Sequence, residues 1–187
     1  MSTLTSLPNI LTLMRISLIP VFVVVFYLPF SWAHELAAYI FALACFTDWL
    51  DGYLARKLHQ ISPFGAFLDP VADKLIVTTS LLLLVSTKDL NYLTIPAMVI
   101  VGREIVISAL REWMAEIGNR ASVMVSNLGK IKTFIQMLAL FLLLAFNPVT
   151  SWWGVIGFVS LYLAAILTIW SMIIYISIAW PELMKKI

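Results

Sequence analysis

The sequence predicts an all-α, polytopic membrane protein: six transmembrane helices around a polar cavity that opens to the cytoplasm. Three observations lead there. Of 187 residues, 62% are apolar and 12% are charged, whereas a soluble domain carries roughly a quarter charged residues. The mean hydropathy of +1.00 excludes an ordinary globular domain and a disordered chain. The apolar residues fall in runs long enough to cross a bilayer, and the charges gather toward one end of those runs. With 7 Gly, 8 Pro and 1 Cys, collagen-like and disulfide-stapled classes are excluded as well. A net charge of +2 gives no reason to expect a nucleic-acid partner.

A span needs roughly 20 apolar residues to cross about 30 Å of hydrocarbon. Residues 1–5 carry no Lys or Arg ahead of the first apolar run. No cleavable signal peptide is therefore expected, and that run should stay as a span. It covers 10–28, interrupted only by Arg15. The second span is expected at 36–56, the third at 65–85 and the fourth at 92–115. No charge occurs between Thr133 and Pro181, and Asn147 with Pro148 marks a turn inside that stretch. The fifth span is thus expected at 125–146 and the sixth at 152–178. Continuous apolar runs without two-residue alternation exclude a β-barrel. Short loops leave no room for a soluble domain, so residues 1–187 should form one membrane unit.

Lys and Arg set the orientation. Arg56, Lys57, Arg111, Arg120, Lys185 and Lys186 fall on the side that holds both termini, with Lys130 and Lys132 just inside the fifth span. The opposite loops offer only Lys88. Both ends are expected in the cytoplasm. Trp32, Trp113, Trp152, Trp153 and Trp180 fall near the expected interfaces and read as an aromatic belt. His34 and His59 are expected in loops on opposite sides and cannot share a metal. Cys45 reads as a small buried hydrophobe.

The inner ends of the second to fifth spans carry Asp48, Asp51, Asp69, Asp73, Lys74, Arg103, Glu104, Arg111, Lys130 and Lys132. Such charges cost a few kcal/mol each in a bilayer unless they face a wet cavity or a partner. Long side chains can snorkel to the interface; aspartates are too short. Asp48 and Asp51 are three residues apart, and Asp69 and Asp73 four, so each pair shares a helical face. The connection between the second and third spans is short, which predicts antiparallel neighbours with the two pairs facing each other. Four such carboxylates repel unless cations neutralise them. Hard oxygen donors suit Mg²⁺ or Mn²⁺, and two such ions are a standard arrangement for phosphoryl transfer. Gly52, Ala55 and Gly65 lie on or beside these faces, serving either close helix packing or clearance for a ligand. Arg56 either holds a phosphate or follows the positive-inside rule. Pro70 either kinks the third helix or marks its first turn.

Together, Asp48-x2-Asp51-Gly52-x2-Ala55-Arg56-x8-Gly65-x3-Asp69-x3-Asp73 resembles, without departure, the signature of the CDP-alcohol phosphotransferase family. Residues 102–113 and 126–133 resemble the branch whose acceptor is sn-glycerol 3-phosphate. The resemblance implies transfer of a phosphatidyl group from CDP-diacylglycerol to that acceptor, with release of CMP. It implies that Asp48, Asp51 and Asp69 are metal ligands, and that Asp73 both contacts metal and serves as general base. Gly52, Ala55, Arg56 and Gly65 match positions lining the cytidine diphosphate site. A homodimer in the bacterial inner membrane is also implied.

The residues themselves favour an anionic acceptor. Arg103 and Arg111 lie about 80° apart around one helix, with Arg103 about 12 Å deeper. Lys130 and Lys132 enter from the next span, and Arg15 is a further candidate for the acceptor phosphate. Such a basic cluster suits a phosphate-bearing acceptor better than choline, ethanolamine or serine. Pairing of Arg103 with Glu104 or an aspartate is the plainer alternative. Serine, inositol phosphate and phosphatidylglycerol remain the rival acceptors. A divalent-cation transporter would also bury carboxylates, but no polar ladder reaches the outer face and no inverted repeat is visible.

Overall fold

The computed structural model describes residues 7–57, 62–116, 127–146 and 150–185. Among them it is all-helical. The helices are α1 (Leu7–Phe26), α2 (Ala33–Lys57), α3 (Pro63–Ser86), α4 (Thr94–Glu116), α5 (Asn127–Ala145) and α6 (Trp152–Lys185), with a 3-10 segment at Lys88–Leu93 between α3 and α4. Each helix overlies one of the six runs read from the sequence. The largest departure is α6, whose 34 residues continue past residue 178 through Pro181. His34 lies in the first turn of α2 rather than in a loop, its ring edge-on to Phe26 at 4.8 Å. His59 and Arg120 lie outside the described residues.

Among the described residues, three stretches are long and apolar enough to cross a membrane: Asn9–Phe26, Leu90–Glu116 and Trp152–Trp180, with a shorter apolar stretch at Ile131–Ala145. The C-terminal half of α2 and the N-terminal half of α3 carry the aspartates, which dilutes their apolar character. Outward-facing side chains are large and apolar along every helix, including Val24, Phe46, Leu82, Met98, Phe134 and Ile166. A surface of that kind suits lipid far better than water.

The core runs through the half of the bundle away from the aspartates. Phe22, Phe41, Ile76, Leu81, Leu84, Ile100, Leu140 and Leu161 are packed there, at most 2% exposed. The α5–α6 contact is the most extensive, and Gly157 allows it: a Cβ there would meet Leu142 Cβ at 2.9 Å. A smaller cluster of Ile107, Met114, Tyr175 and Ala179 joins α4 to α6. Trp113 packs against this cluster, so it belongs partly to the interior and not simply to an interfacial belt.

The position of α1 decides the site. It packs along both α2 and α3, while α2 and α3 touch each other only slightly. They are therefore not the directly facing neighbours that their short connection predicts. Polar Asn9, Thr12 and Arg15 of α1, all at most 1% exposed, separate two like-charged carboxylate pairs that would otherwise repel. The start of α3 is fixed by Ser62, whose Oγ accepts from Gly65 N at 2.9 Å, with Pro63 in the first turn. Pro70 consequently lies within α3 and does not mark its first turn.

Candidate active site

Spacing of three or four residues points Asp48 and Asp51 of α2, and Asp69 and Asp73 of α3, at the same inner face of α1. Arg15 Nη1 donates to Asp48 Oδ1 at 2.7 Å and to Asp73 Oδ1 at 2.8 Å. Its Nη2 donates to Asp51 Oδ2. Thr12, one turn earlier, faces Asp69 Oδ1 at 2.7 Å and that same Asp51 oxygen at 3.3 Å. One connected polar network thus gathers all four carboxylates. Arg15 and Asp51 form its buried floor, whereas the side chains of Asp48 and Asp73 are 40% and 43% exposed. Asp48 and Asp73 therefore present the accessible oxygens.

One guanidinium opposes four carboxylates, so the cluster keeps a strong excess of negative charge. Among the described residues, no three acidic, His or Cys side chains are grouped to share one ion; the Arg15 guanidinium stands between three of the carboxylates. By chemistry the set fits hard divalent cations, with hard oxygen donors, several charges and partial access. An ion held here would compete with Arg15 for the same oxygens.

The two glycines of the motif differ in surroundings. A Cβ on Gly65 would sit 2.6 Å from Asn9 Oδ1, which itself accepts from Ser62 Oγ at 2.9 Å. Gly65 is thus needed for close approach of α1. A Cβ on Gly52 would meet nothing within 4 Å, so this position borders open space. The side chains of Ala55 and Arg56 lie outside the described residues, as does that of Lys130.

Beside the aspartates lies a cavity of about 260 Å³ with a different character. Asp73 and Lys74 form one wall, Arg103, Glu104 and Arg111 of α4 another, and Lys132 and Gln136 of α5 a third; Tyr175 of α6 completes it. Glu104 is the hub, accepting from Arg103 at 2.8 Å and from Lys132 at 3.2 Å. Arg103 and Arg111 both lie over the Tyr175 ring, at 5.8 and 5.7 Å from its centroid. Lys74 donates to Ser108 Oγ. Arg103, Arg111 and Lys132 are therefore gathered, as the sequence suggests, while Arg15 stands in the aspartate network instead. Arg103 does pair with Glu104, yet its buried Nε has no partner and its charge is shared with a cavity that Glu104 alone does not neutralise.

A second cavity of about 600 Å³ lies on the other side of Asp73. Ala44, Phe46, Trp49, Ile76, Phe134 and Met137 make it mostly apolar, with Asp48 and Asp73 at its polar end. Cys45 also lines it, its Sγ 3.8 Å from Met137 Sδ. Asp73 is thus common to both cavities.

Several participants carry no sequence signal of their own. Thr12 and Asn9 look like ordinary polar residues in an apolar helix, although Thr12 and Arg15 are one turn apart. Gln136 and Tyr175 are uncharged and far from the acidic motif.

A carboxylate cluster, a basic cavity beside it and an apolar cavity sharing one aspartate now stand together. Residues 5–180 match the family described as CDP-alcohol phosphatidyltransferase. The chain belongs to that family. Its relatives include three bacterial proteins named CDP-diacylglycerol–glycerol-3-phosphate 3-phosphatidyltransferase. That of Pseudomonas fluorescens is 52% identical over 95% of this chain and 92% of its own length. Those of Pectobacterium atrosepticum and Salmonella paratyphi A are 53% and 51% identical, over 96% and 97% of this chain and 98% of their own lengths. Within the family's shared motif, Asp73 is the member that joins the two cavities.

Proposed function

We propose that this chain transfers the phosphatidyl group of CDP-diacylglycerol to sn-glycerol 3-phosphate, giving phosphatidylglycerophosphate and CMP. The observation that carries the reading is Asp73, shared between an apolar cavity and a basic one. The apolar cavity suits the acyl end of a lipid donor, and the basic cavity suits a small phosphate-bearing acceptor. Asp48, Asp51, Asp69 and Asp73 would hold the divalent ions, Mg²⁺ or Mn²⁺ and two in number. When bound, such ions neutralise the diphosphate and stabilise charge on the departing CMP.

The chain's own residues supply the rest. Arg103, Arg111 and Lys132, with Lys130, hold the acceptor phosphate and keep its hydroxyl toward Asp73, while Arg56 holds the diphosphate of the donor. Arg15 positions the carboxylates from below. Asp73 takes the proton of the attacking hydroxyl. The hydroxyl oxygen bonds to the lipid-side phosphorus as the bond from that phosphorus to the bridging oxygen breaks, and the electron pair leaves with CMP. Among the described residues neither cavity is lined by a His or a pair of Cys, which favours direct displacement. Gly52, Ala55 and Gly65 clear or shape the donor's path. The chain works as one unit with six spans and both ends in the cytoplasm, as a homodimer in the bacterial inner membrane. Purified protein given CDP-diacylglycerol, Mg²⁺ and one acceptor at a time tests this through CMP release. Glycerol 3-phosphate should exceed serine, inositol phosphate and phosphatidylglycerol by at least tenfold; preference for any of these overturns the acceptor.

A further inference from the structure

The basic cavity contains one feature that charge does not explain. Gln136 is 3% exposed and lines the cavity, yet its side-chain carbonyl oxygen has no hydrogen-bond partner. A buried acceptor left unpaired destabilises the fold, so such a group calls for an explanation. Gln136 stands one turn from Lys132 on the same face of α5, about 6 Å farther along the helix from its cytoplasmic end. Lys132 is itself 3% exposed and bound to Glu104. The cavity thus has cationic donors that recognise phosphate and a neutral oxygen that accepts from a donor. A phosphate has no proton to give that oxygen once ionised. A hydroxyl does.

We propose that Gln136 determines specificity for a polyhydroxy acceptor: its side-chain carbonyl accepts a hydrogen bond from the hydroxyl that does not react. This rests on the acceptor reading above and deepens it. In glycerol 3-phosphate the terminal hydroxyl delivers its proton to Asp73, and the central hydroxyl satisfies Gln136. An acceptor without the central hydroxyl leaves the carbonyl orphaned in the complex, which is how a polar site rejects a deoxy analogue.

The test compares glycerol 3-phosphate with propane-1,3-diol monophosphate, the same phosphate lacking the central hydroxyl, by kcat/KM for CMP release from full-length purified protein. The native enzyme should favour glycerol 3-phosphate at least tenfold. Gln136→Met, close in volume and without the carbonyl, should reduce that ratio to within about threefold of one. The reduction should come from the natural acceptor, with the deoxy compound unchanged. The proposal is overturned by a native enzyme that does not distinguish the two, because that measurement needs no variant. It is equally overturned if Gln136→Met keeps the ratio or loses both activities alike. Failure of the underlying reading looks different: native protein would release CMP with serine, inositol phosphate or phosphatidylglycerol in preference to both glycerol 3-phosphate and its deoxy analogue.

Discussion

The aspartate network of α1, α2 and α3 and the basic cavity of α4, α5 and α6 are built on one plan with opposite sign. In the first, three carboxylates bind a single guanidinium and Thr12 ties in the fourth. In the second, Arg103 and Lys132 both bind one carboxylate, Glu104, with Arg111 beside Arg103 over the Tyr175 ring. Each cluster carries one internal counter-charge, enough to hold its members in place and too little to neutralise them. The remaining charge is what each site has to offer a ligand. An excess of carboxylate selects cations, and an excess of guanidinium and ammonium selects phosphate. The difference teaches why the two clusters stand side by side. The proposed reaction, between a metal-bound diphosphate and an anionic acceptor, would need both signs within reach of one proton acceptor, and Asp73 borders both cavities.

The most severe break in this comparison is removal of the shared group. Asp73→Asn should lower kcat for CMP release by about 10²–10⁴, the usual worth of a general base, with the KM for CDP-diacylglycerol changed far less. A variant within tenfold of native kcat would remove Asp73 from the chemistry. Next in size is the counter-charge of the acidic side. Arg15→Met leaves Asp48, Asp51 and Asp73 without their cation. Breaking a buried pair costs about 3–5 kcal/mol, reduced here to about 2–3 because Asp48 and Asp73 are 40% and 43% exposed. Thermal unfolding without divalent ions should show that loss, and added Mn²⁺ should restore more stability to the variant than to native protein. Equal stabilisation of both proteins would contradict the competition between Arg15 and metal.

On the basic side the effect should be smaller and confined to the acceptor. Arg103→Ala should raise the KM for glycerol 3-phosphate about tenfold or more and leave that for CDP-diacylglycerol nearly unchanged. Equal effects on both would reject the assignment. The smallest break separates the two glycines. Gly65→Ala forces Asn9 off its contact with Ser62 and should cost about 1–3 kcal/mol in thermal unfolding. Gly52→Ala, inside α2 with open space for the methyl group, should raise stability by up to about 1 kcal/mol and weaken the nucleotide lipid alone. Similar melting losses for both would erase the distinction.

The acidic side was far more legible in the sequence than the basic side. Spacings of three and four residues place each aspartate pair on one helical face, and aspartates too short to snorkel are expected to face a polar cavity. Six helices lie over the six runs read from hydropathy. What periodicity cannot give is the neighbour across a face. The sequence therefore suggests α2 against α3, whereas α1 packs along both and brings Thr12 and Arg15 between the aspartate pairs. For the same reason Arg15 reads as one more phosphate ligand until its partners are seen. Gln136 and Tyr175 are silent because uncharged residues in apolar helices look like core, and only their tertiary surroundings distinguish them. Arg103 and Lys132 are visible as charges, but their common partner Glu104 is recognisable only once α4 and α5 are side by side.

Mn²⁺ binding followed by electron paramagnetic resonance separates the roles of the acidic and the basic cluster. Purified protein with CDP-diacylglycerol present should bind Mn²⁺ saturably. Asp69→Asn should weaken that binding at least tenfold, while Arg103→Ala should leave it within about twofold. Mn²⁺ binding indifferent to Asp69, or as sensitive to Arg103 as to Asp69, would contradict the account.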